Sequence, residues 1–239
     1  TNEGVSCDGP TESFTITVNP TAQVNIPADQ VVCNTELTTM LFTTENTVGV
    51  TTYAWTSDIE IGAGLTGAAD GFPVLYTAIN LGTEPLVATI IVTPIFTNDG
   101  VGCVGPTESF TITVNPTGQV DITADQVVCN AEATTVVFTT ENTVGVTAYA
   151  WTSDIEIGAG LTGAGDLNFT AANLGTDPLV ATFIVTPTFT NDGVSCDGPT
   201  DTFTITVNPS AQVNTPDDMV VCNADTTETI VFTTQNTDG

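Results

Sequence analysis

The chain repeats itself, and that repetition constrains its fold more than any other feature. Segment 45–67, ENTVGVTTYAWTSDIEIGAGLTG, returns at 141–163 with a single change, Thr52 to Ala148. The phrase TESFTITVNP at 11–20 returns at 107–116 and, as TDTFTITVNP, at 200–209. DQVVCN at 29–34 returns at 125–130, and Met219-Val220-Val221-Cys222-Asn223 matches it again. Cys33 and Cys129 stand 96 residues apart, Cys129 and Cys222 stand 93 apart, and the difference falls between Ala68 and Leu81, where FPVLYTAIN shortens to LNFTAAN. A fixed period means that one supersecondary body is built over and over. The expected organisation is the C-terminal strand of one unit at 1–20, whole units at 21–116 and 117–209, and the first strands of a further unit at 210–239. The sequence reads as a stretch of a longer array.

Each unit reads as strands. Phe110, Ile112 and Val114 alternate with Ser109, Thr111 and Thr113, the period of two that buries one face of a strand. Phe14, Ile16 and Val18 repeat the pattern, as do Phe203, Ile205 and Val207. The run Leu86–Val92 is more continuously apolar, as for a central strand. β-branched and aromatic residues dominate these runs and suit a pleated surface. Asp99-Gly100, Asp192-Gly193, Gly82 and Gly62-Ala63-Gly64 separate them as turn signals. Strands are expected near 21–32, 37–43, 50–56, 72–79, 86–97 and 107–115, with a short one near 59–62. Six or seven strands in ~95 residues is the pattern of an immunoglobulin-like β-sandwich, which keeps a core Trp on its third strand, here Trp55 and Trp151. The fold class is therefore all-β, tandem sandwiches arranged end to end. Asn115-Pro116 leaves almost no linker, and Pro stiffens the joint.

Charge excludes whole classes of function. The chain has no Lys, Arg or His against 28 Asp and Glu, a formal charge of −28. No side-chain salt bridge and no Lys–Asn isopeptide bond can form. Nucleic acid binding needs cationic side chains, and so does attraction to anionic lipid. Yet 41% of the residues are hydrophobic, enough for a core. Self-repulsion at this charge is eased by solution cations, so stability is expected to rise with salt or divalent ions. No apolar run is long enough for a transmembrane helix, so no membrane insertion is expected in this segment. Thr1-Asn2-Glu3-Gly4 lacks the features of a signal peptide, so any export signal is expected outside the segment.

With these strings in hand (VVCN, VFTT, YAWT, NFTAANLGTDPLVATFIVTPT, then a Cys before GPT and FTITVNP), the sequence resembles the PKD-like repeats of Bacteroidota over nearly its whole length. Such repeats occur in tandem in very large cell-surface proteins, including gliding adhesins exported by the type IX secretion system. The resemblance implies a sandwich fold, a location on the bacterial cell surface, and a role as spacer, stalk or adhesin. It implies no catalytic residues.

Six cysteines, two per unit, point to disulfides: Cys7, Cys103 and Cys196 before the last strand, and Cys33, Cys129 and Cys222 after the first. Metal-type C-x-x-C spacing is absent. Two pairings stay open. Surface modules are commonly stapled one by one, which favours Cys33–Cys103 and Cys129–Cys196. In immunoglobulin topology, however, the first strand ends and the last begins at opposite poles, about 20 Å apart, too far for the ~7 Å between bonded Cα atoms. Stacked units would instead bring Cys33 to Cys196 and staple the junction.

Only carboxylates offer site chemistry. Asp58 with Glu60, repeated as Asp154 with Glu156, lie two apart and share a strand face, so they are candidates for Ca²⁺ alongside backbone carbonyls. Their plainer role is a solvated acidic edge that discourages sheet-to-sheet pairing. Asp99 and Asp192, in Asn-Asp-Gly, are further Ca²⁺ candidates, although this is also ordinary hairpin chemistry. No cofactor is required by any motif. A pair of carboxylates could hydrolyse glycosides, but a catalytic pair is rarely copied along an array, and without His no His-based triad exists. An enzyme is not expected. Trp55 and Trp151 would serve as sugar platforms only if exposed; a place in the strand makes them core residues. Asn168-Phe169-Thr170 is a glycosylation sequon, and Asp225-Thr226-Thr227 resembles a short bacterial O-glycosylation motif.

Three functions fit. A structural stalk or fibre segment, with neighbouring repeats as its partners, is favoured by the near-identity of the units. A repeated carbohydrate- or protein-binding module would use the variable stretch 68–80 against 164–173. Lateral assembly with other copies into a filament is opposed by the charge unless cations bridge the chains.

Overall fold

The computed structural model describes residues 3–4, 6–122 and 124–237. Thr1, Asn2, Val5, Thr123, Asp238 and Gly239, which fall within the expected units or the expected non-signal start, lie outside the described residues. Every regular element among the described residues is a strand, and the strands form two bodies of the same design. The first body comprises β1 (Gln30–Cys33), β2 (Leu37–Met40), β3 (Val50–Ser57), β4 (Thr66–Ala69), β5 (Val74–Thr77), β6 (Leu86–Asn98), β7 (Val101–Val104) and β8 (Glu108–Asn115). The second comprises β9 (Gln126–Cys129), β10 (Ala133–Val136), β11 (Val146–Ser153), β12 (Thr162–Ala164), β13 (Leu167–Thr170), β14 (Leu179–Asn191), β15 (Val194–Asp197) and β16 (Asp201–Asn208).

In the first body β1-β8-β6-β3-β4 form one layer, with β7 on the far half of β6, and β2-β5 form the facing layer. The second body repeats this with β9-β16-β14-β11-β12, β15 on β14, and β10-β13 opposite. The alternating side chains predict which face closes. Phe110, Ile112 and Val114 of β8 turn inward, joined by Ala88, Ile90 and Val92 of β6 and by Tyr53 and Trp55 of β3. Met40, Phe42 and Tyr76 come down from the other layer, and Phe42 meets Phe110 with ring centroids 6.2 Å apart. Phe138 and Phe203 reproduce that contact at 6.1 Å. These are tandem immunoglobulin-like β-sandwiches.

The β6–β7 hairpin turns at Asp99 (φ 50°) and Gly100 (φ 76°), both left-handed. Two successive positive φ values define the tight turn that matches strand twist, and Asp-Gly tolerates them. Asp192 and Gly193 do the same between β14 and β15.

Several strand expectations need correction. Residues 59–62 are a turn, because Glu60 spends its carboxylate on local amides instead of facing a neighbouring strand. The strand expected at 21–32 is only a bridge at Asn25 to Thr43 followed by β1, a break the second body repeats with its bridge at Asp121 to Thr139 followed by β9. Strands β4 and β7 were not anticipated; each is four residues long and glycine-bearing, so it lacks the apolar alternation of a longer strand. Residues 6–20 form no ladder among the described residues, and 210–237 form only the bridge between Asn214 and Thr233.

Candidate functional site at the junction

Strand β1 runs parallel to β8, with Gln30 opposite Ile112 and Cys33 opposite Asn115. That register carries Cys33 to the pole where β8 ends. A tight turn then holds it: Glu36 Oε2 accepts from the Cys33 amide at 2.8 Å, and Thr35, at φ 68°, donates its amide to Ala78 O at 2.8 Å. The same turn recurs at Cys129, where Glu132 accepts at 2.8 Å, and at Cys222, where Asp225 accepts at 3.3 Å.

Cys196 lies on β15, opposite Phe189 at the other pole of the second body. Gly198 lets the start of that body pack tightly beneath it: a Cβ there would stand 1.8 Å from Gly118 O. Gly105 makes the same approach to Ala22 O, 2.0 Å from its hypothetical Cβ. A side chain at either place would push the strand start away.

Cys33 and Cys196 are joined in a disulfide with Cα atoms 5.6 Å apart. This corrects the favoured expectation: Cys33–Cys103 and Cys129–Cys196 do not form. The physical reason is the parallel register. Cys33 is level with the last residue of β8 and Cys103 precedes its first, and eight residues at ~3.3 Å separate those poles. Among the described residues Cys7, Cys103, Cys129 and Cys222 carry no disulfide.

Two further ties surround the staple. Asn115 and Asn191 bond reciprocally, Asn115 Nδ2 donating to Asn191 O at 3.1 Å and Asn191 Nδ2 to Asn115 Oδ1 at 3.0 Å. Asn142 Nδ2 donates to Thr83 O at 3.1 Å, and Thr143 Oγ1 donates to the Glu84 carboxylate beside it. The loop that offers Thr83 and Glu84 is shaped by buried Asn80, whose Nδ2 donates to Glu84 O at 2.8 Å and Val114 O at 2.7 Å. Its Oδ1 accepts from Gly82 N at 2.9 Å. Asn173 repeats this hub in the second body. The ties also recur on either side: Asn98 Nδ2 donates to Asn19 Oδ1 at 3.0 Å, and Asn236 Nδ2 to Thr176 O at 3.3 Å. Asn80 and Asn142 escaped the sequence reading, and Asn191 entered it only as part of an Asn-Asp-Gly hairpin. The available signal for the first two was their unchanged return in each unit, as NLGT and ENT.

The candidate Ca²⁺ ligands are occupied otherwise. Asp58 Oδ1 accepts from Thr89 N at 2.7 Å, a bond that holds its carboxyl below the usual range, and Asp154 Oδ1 accepts from Thr182 N at 2.7 Å. Glu60 closes the following turn through the amides of Gly62 and Gly64, as Glu156 does through Gly158 and Gly160. Asp99 and Asp192 lie in hairpin turns. No group of three or more acidic or cysteine ligands converges among the described residues.

Trp55 and Trp151 are core residues. Asn168 lies exposed on β13, and Asp225 caps the Cys222 turn. Burial raises the Tyr53, Tyr76 and Tyr149 phenols above their ordinary value; Tyr76 is pushed up to about 12, with the Glu36 charge adding to the effect. No helix among the described residues is long and apolar enough to cross a membrane.

No protein-family profile and no curated protein sequence matches the chain. Among solved structures it is similar to the insect immune protein hemolin, at 14% identity over 83% of this chain and 49% of that one, with a TM-score of 0.37. It is similar to mouse cadherin-23 EC22-24, at 10% identity over 81% and 68%, TM-score 0.42. Drosophila N-cadherin EC1-4 follows at 13% identity over 80% and 50%, TM-score 0.40. The chain thus spans about half the length of the hemolin and N-cadherin structures it matches.

Proposed function

We propose that the chain is a stiff, non-enzymatic spacer segment of an extracellular fibre or stalk, built from units at 21–116 and 117–209 flanked by parts of two more. The Cys33–Cys196 bond between bodies carries this reading. Together with the Asn115–Asn191 and Asn142–Thr83 contacts it gives the junction three separate ties, which oppose bending about any single axis. A disulfide of this kind suits an oxidising compartment outside the cell. The resemblance to PKD-like repeats adds a bacterial cell surface as the setting and export as a secreted adhesin-type protein. Carboxylates committed to backbone amides leave little for catalysis, and the carboxylate-only surface suits a spacer kept apart from its neighbours by charge.

Small-angle X-ray scattering tests this. A rod whose maximum dimension is fixed by two docked sandwiches is expected, and it should shorten and broaden in distribution once the disulfide is reduced. A hinged ensemble under oxidising conditions overturns the reading.

A second reading, a binding module, is favoured by one observation. The stretch that differs in length between the units borders a shallow depression of about 420 Å³ lined by Thr52, Ala68, Ala69 and Asp70. Glycan-array binding would support it.

A further inference from the structure

Charge is spread unevenly over this chain. Of its 28 Asp and Glu, only Glu108, Asp197 and Asp201 stand on described strands, each at a strand end. No strand carries a carboxylate in its interior. The outer face of the larger layer shows the consequence. Ala88, Ile90 and Val92 of β6 point into the core, so the residues between them face out. Val87 and Ile91 are 50% and 44% exposed there, with Thr89 and Thr93 beside them. Ile91 lies in the middle of the layer, opposite Thr56 of β3 on one side and Ser109 of β8 on the other. The second body repeats the arrangement: Val180 and Ile184 are 48% and 43% exposed, and Ile184 lies opposite Thr152 and Thr202. Aliphatic groups thus occupy the side that an antiparallel sheet ordinarily gives to polar ones.

We propose that these outer faces stack on the same faces of a second copy of this chain, so that copies associate side by side. Charge selects the approach. Contact through poles or turns sets carboxylate against carboxylate, which repel. Contact through these faces brings together only hydroxyl and aliphatic side chains. Area selects the layer. At a strand spacing of ~4.8 Å and ~3.3 Å per residue, the five strands offer about 600 Å² in each body. A stable interface buries about 800 Å² on each partner, so one face falls short and two engaged together suffice. The two-stranded layer opposite offers only about 130 Å² by the same measure.

Ionic strength then decides whether the copies meet. Stacked sheets lie ~10 Å apart, which sets the gap between the rims of two faces. Asp29 and Asp58 are held at that rim by the amides of Thr111 and Thr89, each at 2.7 Å. At about 0.01 M salt the screening length is ~30 Å and their repulsion crosses the gap; at about 0.15 M it is ~8 Å, and at about 1 M ~3 Å. The carboxylates keep copies apart in dilute salt and cease to do so as salt rises.

The inference rests on the stiff-junction reading, because both faces of a copy engage at once only if its two bodies hold a fixed relation. Light scattering after gel filtration of the oxidised 239-residue chain tests it. The mass of a single chain is expected at about 0.01 M sodium chloride, at least doubling by about 1 M, where rim repulsion is screened. Ile91→Glu combined with Ile184→Glu is expected to hold the single-chain mass at every salt concentration, with circular dichroism unchanged. If that variant fails to fold, Thr93→Glu with Thr186→Glu takes its place. Leu37→Glu with Leu75→Glu adds the same two charges on the other layer, where these residues are 68% and 64% exposed, and is expected to leave the doubling intact.

A mass that never doubles overturns the proposal. So does doubling that survives the face substitutions, that is lost equally with Leu37→Glu and Leu75→Glu, or that needs calcium and fails in sodium chloride of equal ionic strength. Retardation of an unassociated chain in a native gel containing a soluble uncharged β-glucan also overturns it and assigns the face to a glycan. Small-angle scattering in dilute salt reads the junction separately: a rod that never associates leaves the spacer standing, and a hinged chain removes both.

Discussion

Cys33 and Cys196 are 163 residues apart in sequence and 5.6 Å apart at Cα, and their bond crosses from one sandwich to the next. Closing so long a loop removes conformational freedom from the unfolded chain worth about 5 kcal/mol in the entropic account. Cys33→Ser is expected to lower the thermal midpoint of the oxidised protein and to widen the interdomain distances seen by scattering. Each sandwich should keep its far-ultraviolet circular dichroism, because neither core includes the bond.

Asn80 is a buried amide whose carboxamide satisfies two carbonyls and one amide of its own pole. Asn80→Ala strands those groups away from water, and an unsatisfied buried group costs about 1–3 kcal/mol. A loss of about 3 kcal/mol confined to the first sandwich is expected, seen as an earlier first transition in urea. Asn173→Ala should move the second transition by a similar amount.

The indole of Trp55 lies flat against β4, where a Cβ on Gly67 would stand 2.4 Å from the ring. Gly67→Ala forces Trp55 off its position, and overpacking of this kind costs about 1–3 kcal/mol. Gly163→Ala should do the same to Trp151 in the other body, at 2.2 Å. Tryptophan emission should shift in each variant, and urea unfolding gives the loss.

Burial holds the Tyr76 phenol neutral up to about pH 12, against 10 in the unfolded chain. Between those values the unfolded state has released a proton that the folded state keeps. Stability from this group is therefore full below pH 10 and lost as pH rises towards 12. Tyr76→Phe should flatten that part of the alkaline unfolding profile.

Asp58 acts at the acid end. The amide of Thr89 favours its charged form, so its contribution is present above its ordinary pKa of 3.8 and fades as pH falls further. Asp58→Asn should reduce the slope of acid unfolding in the first sandwich.

Much of this was written in local pattern. The alternation of Phe110, Ile112 and Val114 announces β8 and its inward face because a strand has a period of two. Asp99-Gly100 announces its hairpin because few other pairs accept two left-handed residues. Short β4, with one glycine and two alanines, carries no such signature, and the strand expected at 59–62 dissolved because Glu60 found amides within its own turn. Asn80 and Asn142 gave no local signal of their role, since burial and the partners of an amide belong to the packed pole and not to its sequence neighbours.

The sequence by itself determined the repeat, the strand-forming alternation and the absence of any cationic side chain, and therefore an all-β array without side-chain ion pairs. Tertiary structure alone decided which cysteines meet. Cysteine positions along the chain are compatible with either pairing; only the parallel laying of β1 on β8 carries Cys33 to the pole that faces Cys196. A bond that short depends on which ends of strands share a pole, and strand direction is set by how the layers close over the core.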